Sequence, residues 1–164
     1  MPNWCSNSVV FSAVEDTLEK IRELFAQIEQ KQQQDEKYHL PSFVTKEEGY
    51  MQDIIIDKNR INFETRWVPN IETLIEIADF YQAGFTCKYD EMANGIFGEA
   101  RYDQSALIMA NLDMEDFKAI RYDKQQKGYP CGQQVFEYEG DLLDYLLEQK
   151  MLNNNVIELT VRQM

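Results

Sequence analysis

The chain has 164 residues, of which 44% are hydrophobic and 12% aromatic, enough for one globular domain with a substantial core. Acidic residues outnumber basic ones by 29 to 16, which gives a net charge of −13. This surplus opposes binding to a nucleic-acid backbone or to an anionic membrane, and it favours encounter with basic protein surfaces.

Cysteine usage and the N-terminal residues predict a compartment. Cys5, Cys87 and Cys131 are widely spaced and contain no Cys-x-x-Cys pair, which is typical of proteins from a reducing environment. The N-terminal residues show no basic segment followed by an apolar run, and no apolar run approaches the length of about 18 residues that a transmembrane helix needs. We therefore expect a cytoplasmic protein that does not enter a membrane.

The first two thirds of the chain predict the order strand, helix, strand, strand, helix, strand, and then one further strand. β-Branched and aromatic residues, with alternation of polar and apolar side chains, predict strands at residues 8–12, 53–57, 61–67, 85–89 and 96–102. Apolar residues at helical spacing predict helices at residues 14–31 and after Pro69, where Gly84 would supply a left-handed C-terminal cap. Ala93-Asn94-Gly95 predicts the turn before the last strand, in which Gly98 would allow a bulge or a close approach.

This order is that of the split βαβ, ferredoxin-like pattern. We predict an α+β fold: a ferredoxin-like βαββαβ antiparallel sheet with an added strand and a C-terminal α/β extension. Residues 1–102 would form the ferredoxin-like domain, and residues 103–164 would form the extension, packed on the same core. Within the extension we predict helices at 114–121 (capped by Asp113) and 141–150, a loop at 123–132, and strands at 135–138 and 156–161.

Three motifs resemble a known family. Met-Pro-Asn-Trp-Cys-Ser-Asn at residues 1–7 is followed at once by a predicted strand, Thr65-Arg66-Trp67-Val68-Pro69 ends another, and Tyr89-Asp90-Glu91 with Gly95-Ile96-Phe97-Gly98 forms a hairpin. Together they resemble the YubB-like family, phage- and plasmid-associated proteins with a ferredoxin-like domain and no established biochemical role. The resemblance covers roughly residues 1–102. It implies the fold and a mobile-element context, and it implies no catalytic residues.

The sequence gives no sign of a catalytic or cofactor site. It contains no Gly-x-Ser-x-Gly, His-Glu-x-x-His, P-loop or EF-hand motif, and its single histidine, His39, lies in a polar connector. We therefore predict no catalytic residue, no metal and no cofactor. Asp113, Glu115 and Asp116 could ligate a hard cation, but capping of the following helix is the favoured interpretation.

The densest acidic run is the candidate partner-binding site: Glu137, Glu139, Asp141, Asp144 and Glu148. Asp141, Asp144 and Glu148 have the i, i+3, i+7 spacing that places side chains on one helical face. Such a face is either simply solvated, or it is a row of carboxylates that imitates nucleic-acid phosphates and occupies a basic groove.

The leading hypothesis is a non-enzymatic protein-binding module of a mobile genetic element, which engages a basic host or defence protein by its acidic surface. The first alternative is an enzyme with an unrecognised carboxylate site, which requires two acids that converge in a pocket with perturbed pKa values. The second is a sheet that binds single-stranded nucleic acid on the aromatic side chains of Phe63, Trp67, Tyr89 and Phe97. The negative charge disfavours this second alternative, and core packing is the favoured role of those aromatic residues. The sequence does not specify an oligomeric state.

Overall fold

A computed structural model describes residues 3–46 and 50–153 of the chain. The helices and strands, in chain order, are β1 (Trp4–Ser12), α1 (Glu15–Asp35), β2 (Gln52–Asp57), β3 (Arg60–Arg66), α2 (Ile71–Tyr81), β4 (Gly84–Glu91), β5 (Ile96–Tyr102), β6 (Leu107–Asn111), α3 (Met114–Ala119), β7 (Tyr129–Cys131), β8 (Gln134–Phe136) and α4 (Glu139–Leu152).

One sheet of six strands organises the fold, in the spatial order β2-β3-β1-β4-β5-β6, and every neighbouring pair is antiparallel. The first four strands, with α1 and α2 as the connections, have the split βαβ arrangement of a ferredoxin-like fold. Two successive hairpins add β5 and β6 at the β4 edge. The predicted α+β, ferredoxin-like fold with an added strand and a C-terminal α/β extension is therefore confirmed.

The main core lies between the sheet and the two long helices α1 and α2. Side chains along a strand alternate between its two faces, so β1 buries Cys5, Val9 and Phe11 on the helix side and turns Ser6 and Ser8 to the other face. On the helix side, Phe11 and Phe63 each pack against the fully buried Phe25 of α1, with ring centroids 6.0 and 6.3 Å apart. Contacts at these separations are typical of aromatic pairs in protein cores.

The C-terminal extension packs on the opposite face of the sheet. A second, smaller apolar cluster joins Ala110 of β6 and the following Leu112 to Leu143 and Leu147 of α4, with Phe97 of β5 partly buried against it. This cluster covers the β5–β6 part of the outer face. The outer face of β2, β3 and β1 carries polar side chains at the surface of a groove. The division of the chain at residue 102 stays a prediction.

The predicted role of Gly84 is wrong. The left-handed residue that ends α2 is Gln82, with φ of 54°, and Gly84 is the first residue of β4. A Cβ atom at Gly84 would lie 2.7 Å from Ser12 Oγ and 2.7 Å from the carbonyl oxygen of Tyr102. Gly84 is therefore required by the close approach of neighbouring strands and not by a helix cap.

Other predicted elements shift or appear anew. The Asn94-Gly95 turn is present as one 3-10 turn over Met92–Asn94, closed by Gly95 at φ of 65°. The strand β6 was not predicted, and part of the predicted 123–132 loop is the strand β7, paired with β8. The strand β7 was missed because it contains Pro130, and proline is uncommon in strands except in edge strands. The predicted strand at 156–161 lies outside the described residues.

Within residues 3–46 and 50–153, no helix is both long enough and apolar enough to span a membrane.

The first prediction concerns Gly98, which sits beneath the side chains of Tyr89 and Asn111. A Cβ atom here would lie 2.5 Å from Tyr89 Cε2 and closer still to Asn111 Oδ1. We expect Gly98→Ala to lower the free energy of unfolding by about 1–3 kcal/mol, as overpacking usually does. Gly140→Ala is the matched control, because a Cβ atom there meets nothing within 4 Å. Equal effects in urea-induced unfolding would contradict this account.

Candidate functional site

A groove of about 500 Å³ crosses the outer face of the sheet, between β2 and the N-terminal end of α4. We call it the sheet groove. The polar side chains on the outer face that line it come from five helices and strands: Ser6, Ser8, Asp53, Asn62, Glu64, Lys88, Asp90 and Asp144.

Strand register brings two of the carboxylates together. Ser6 of β1 lies opposite Glu64 of β3 on one side and opposite Asp90 of β4 on the other. Directly opposed residues point to the same face of a sheet, so the two carboxylates flank the Ser6 side chain on the outer face. Both are only partly exposed.

A distortion of β2 adds the third carboxylate. The pairing of β2 with β3 shifts register between Gln52 and Ile55, and Asp53 within this irregularity has a left-handed φ of 50°. Irregularities of this kind re-aim a side chain. The amide nitrogen of Gln52 lies 3.5 Å from Asp53 Oδ2 and 3.5 Å from Glu64 Oε2, so these two acids converge on one amide group.

The sheet groove lacks compensating positive charge. Its one lysine, Lys88, is already paired, with Nζ 3.0 Å from Asp144 Oδ1 of α4. In the part of the chain that the structure describes, no lysine, arginine or histidine forms an ion pair with Asp53, Glu64 or Asp90. The groove therefore carries three carboxylates for which residues 3–46 and 50–153 supply no cationic partner.

The environment of Asp90 opposes its ionised form. Partial burial raises the pKa of the Asp90 carboxyl above its ordinary value, and the negative charge of the adjacent Glu91 raises it further. Glu91 itself is buried on the other face, where its side chain accepts a hydrogen bond of 2.9 Å from the backbone N–H of Asn94. A cation placed beside Asp90 would lower that pKa again.

The predicted acidic run borders the sheet groove and a second cleft. Asp144 lines the groove directly. Asp141, Asp144 and Glu148 also line a cleft of about 530 Å³, which we call the helix cleft, together with Lys88 and Arg101 of the sheet. Glu137 and Glu139 are exposed at the start of α4 and line neither cavity.

The helix cleft balances part of its own charge. Arg101 Nε donates to Glu99 Oε1 at 2.5 Å, and Glu99 is buried, with 5% of its surface exposed. Lys88 pairs with Asp144. The α4 carboxylates therefore face basic side chains of their own chain, a proximity that residue spacing alone does not predict.

The Asp113, Glu115 and Asp116 cluster is a helix cap, as the sequence favoured. Asp113 Oδ1 accepts from the backbone N–H groups of Glu115 and Asp116, and Asp116 Oδ2 accepts from that of Asp113, which forms a capping box. Lys150 of α4 lies 2.7 Å from Asp113 and 2.6 Å from Asp116, so the cap also clasps α4. Across residues 3–46 and 50–153, no group of three or more His, Cys, Asp or Glu could hold a metal ion.

The aromatic residues of the nucleic-acid alternative do not form one surface. Phe63 and Tyr89 are buried on the helix side of the sheet, with 1% and 3% of their surface exposed. Phe97 packs against the α4 cluster on the opposite face. Trp67 is exposed beyond the end of β3.

The single histidine, His39, pairs with Asp35, at 2.7 Å.

The turn after β3 presents Trp67 in a strained conformation, which sequence reasoning did not reveal. Trp67 has a left-handed φ of 68°, which is rare for a bulky residue, and 52% of its surface is exposed. Its N–H donates to the carbonyl oxygen of Asn3 at 3.0 Å, and the Thr65 hydroxyl donates to that of Val68 at 2.8 Å. The buried Asn7 amide holds Thr65 in turn, with Nδ2 2.9 Å from Oγ1.

These observations define an α+β protein with a ferredoxin-like sheet whose outer face holds an acidic groove beside the part that α4 covers. Residues 46–129, a little more than half of the chain, match the family model described as a ferredoxin-like domain in Api92-like proteins. The chain therefore belongs to this family. The match supports the fold implied by the sequence resemblance, while the YubB-like assignment and the mobile-element context stay hypotheses. No curated protein and no solved structure matches the chain.

The second prediction concerns the clasp between α3 and α4. The hydrogen bond from Lys150 and the backbone N–H groups of the cap lower the pKa of Asp113 from 3.8 to about 2. A carboxyl whose pKa is lower in the folded than in the unfolded state stabilises the fold at pH values above the unfolded-state pKa. This stabilisation is lost as the pH falls through the folded-state pKa. We expect Lys150→Met to raise the pKa of Asp113, measured by NMR, and to flatten the loss of stability between pH 3.8 and about 2.

Lys118→Met is the control for this titration, because Lys118 is paired with Glu115 on the same short helix and not with Asp113. An Asp113 pKa that does not respond to Lys150→Met, or that responds equally to Lys118→Met, would contradict the role of the clasp.

The third prediction tests the strain at Trp67. Trp67→Ala and Trp67→Gly remove the same ring, but only glycine adopts a left-handed φ without steric cost. We expect the glycine variant to be more stable than the alanine variant by about 1 kcal/mol in chemical denaturation. The same pair at Arg66, an exposed strand residue, should show the ordinary order with alanine more stable. The ordinary order at both positions would show that Trp67 is not strained.

Proposed function

We propose that this chain is a non-enzymatic protein-binding module that holds a basic segment of a partner protein in the sheet groove. The observation that carries the proposal is the set of three carboxylates, Asp53, Glu64 and Asp90, for which the described residues supply no cationic partner. Lysine or arginine side chains of a partner would supply it, and their attraction to Glu64 and Asp90 is strengthened because these two carboxylates are partly buried.

The acidic run of α4 extends this surface in the proposal. Glu137, Glu139, Asp141, Asp144 and Glu148 are all exposed, and Asp144 links the wall of the groove to the helix cleft. A row of carboxylates of this kind suits a basic groove that normally holds nucleic-acid phosphates. The proposed partner is accordingly a nucleic-acid-handling or defence protein of a host, and the resemblance to phage- and plasmid-associated proteins supports that context. Mimicry of this kind entails competition with DNA for the partner.

An enzyme with a carboxylate site is the second candidate function. The convergence of Asp53 and Glu64 on the Gln52 amide and the raised pKa of Asp90 favour it. The family match indicates no catalytic activity, and no histidine lies among the polar lining residues of the groove, where the hydroxyls of Ser6 and Ser8 are the nucleophile candidates. A binding module therefore accounts for more features of the groove than an enzyme does.

The fourth prediction tests the sheet groove with a fluorescently labelled oligolysine peptide. We expect Glu64→Gln and Asp90→Asn each to weaken binding by up to about fivefold, the range of a partly exposed ion pair. Added salt should weaken binding to the wild-type protein, because it screens the attraction. Fluorescence anisotropy at fixed pH measures both effects.

Glu19→Gln is the matched control, because it removes the same charge from α1, on the other side of the sheet. If this control weakens peptide binding as much as the groove variants do, net charge and not the groove attracts the peptide. The double variant Glu137→Gln/Glu139→Gln tests the acidic run in the same assay. An affinity equal to that of Glu19→Gln would remove these two residues from the proposal.

A further inference from the structure

A second surface adjoins the sheet groove at the end where β1 begins and β3 ends. Trp4 lies opposite Arg66 in the register, and the next outward pair along the strands is Ser6 opposite Glu64, at the groove. Residues two apart on one face of a strand are separated by about 7 Å, so the two surfaces are continuous. We call Trp4, Tyr38, Tyr50 and Arg66, together with the exposed Trp67 and Val68 that follow Arg66 in the chain, the aromatic end.

Side chains of the aromatic end contact one another although they face solvent. The Arg66 guanidinium lies 5.6 Å from the ring centroid of Trp4 and 5.7 Å from that of Tyr38, and the Tyr38 and Tyr50 rings are 5.6 Å apart. Cation–π contacts at these distances favour this arrangement of the side chains. The Trp67 turn is fixed separately, by hydrogen bonds from its own N–H and from the buried Thr65.

The conformation of Trp67 is unfavourable for the isolated chain. Its left-handed backbone costs free energy, and the exposure of half of its surface together with that of Val68, at 59%, forfeits apolar burial. Strained residues of this kind cluster at ligand-binding surfaces, and tryptophan, tyrosine and arginine are the side chains enriched at the centres of protein interfaces. Rigid aromatic side chains also lose little entropy on binding.

We propose that Trp67 and Val68 form the apolar anchor of the same interface, so that the partner segment carries basic residues over the sheet groove and an apolar residue at the aromatic end. This inference rests on the proposed function of the groove. The charge pattern sets the direction of the segment. The surface changes from Glu64 of β3 and Asp90 of β4, which have no cationic partner among the described residues, to the cation Arg66 at the end of β3. A uniformly basic segment would meet repulsion at Arg66, and an apolar residue would not.

The experiment compares two oligolysine peptides of equal length and charge, one ending in two leucines and one ending in two serines. The leucine peptide should bind about tenfold more tightly, since partial burial of a leucine contributes roughly 1.4 kcal/mol, which is a factor of ten. Trp67→Ser should abolish that difference and leave the affinity for the serine peptide unchanged. Phe80→Ser is the matched control, because Phe80 is similarly exposed, at 58%, but lies on α2.

Tryptophan fluorescence reports the contact directly. In a Trp4→Phe background, Trp67 is the one remaining tryptophan of the sequence. Its emission should shift to shorter wavelength, and acrylamide should quench it less, when the leucine peptide binds.

The outcomes separate this inference from the proposed function. Two peptides that bind equally well, with no response of Trp67, overturn the anchor and leave the acidic groove intact. The absence of binding by either peptide overturns the groove, and the anchor with it. A shift of Trp67 emission on concentrating the protein alone would assign the aromatic end to a second copy of the chain, and a shift only with a single-stranded oligonucleotide would assign it to nucleic acid. Either result overturns the proposal that the aromatic end binds a basic protein partner.

Discussion

The alternation of side chains along β1 is the constraint on which the rest of this molecule depends. The strand lies between β3 and β4 at the centre of the ferredoxin-like sheet. Its inward residues, Cys5, Val9 and Phe11, join the core beneath α1 and α2, while Ser6 and Ser8 form the floor of the groove on the other face. A shift of one residue in the register would exchange these two sets, so the fold and the candidate site are specified by the same pairing.

The buried Asn7 connects the core to the exposed turn that presents Trp67. It lies among the inward residues of β1, yet its amide donates to Thr65, whose hydroxyl in turn holds the turn that presents Trp67. A buried polar group costs free energy unless it is hydrogen-bonded. Asn7 Nδ2 donates to Thr65 and to the carbonyl oxygen of Cys5, whereas Asn7 Oδ1 has no hydrogen-bond partner among the described residues. The core of this end of the sheet therefore includes polar groups that serve the geometry of the surface.

The sequence predicted the fold far better than the site. Helical spacing in α1 and α2, and alternation in β1 and β3, are local signals, and the order of these elements was sufficient for the ferredoxin-like topology. The strands β6 and β7, which were not predicted, have short or proline-containing sequences, and tertiary pairing specifies them. The strand predicted at 135–138 is present as β8. The acidic run of α4 was found from its spacing, but its closeness to Lys88 and Arg101 depends on how the extension folds back across the sheet. The convergence of Asp53 and Glu64 could not be anticipated, because it arises from a register irregularity within β2.

The link between Lys88 and Asp144 has a consequence for how a partner could enter. Both side chains are about half exposed, so this pair stabilises the free protein by at most about 1 kcal/mol. The wall formed by α4 is held instead by the apolar contacts of Leu143 and Leu147. An incoming ammonium or guanidinium group can thus exchange with Lys88 as the counterion of Asp144 at little cost. The released Lys88 would then be free to pair with an acidic group of the partner. A single ion-pair exchange would thus favour a partner that carries a basic group next to an acidic one.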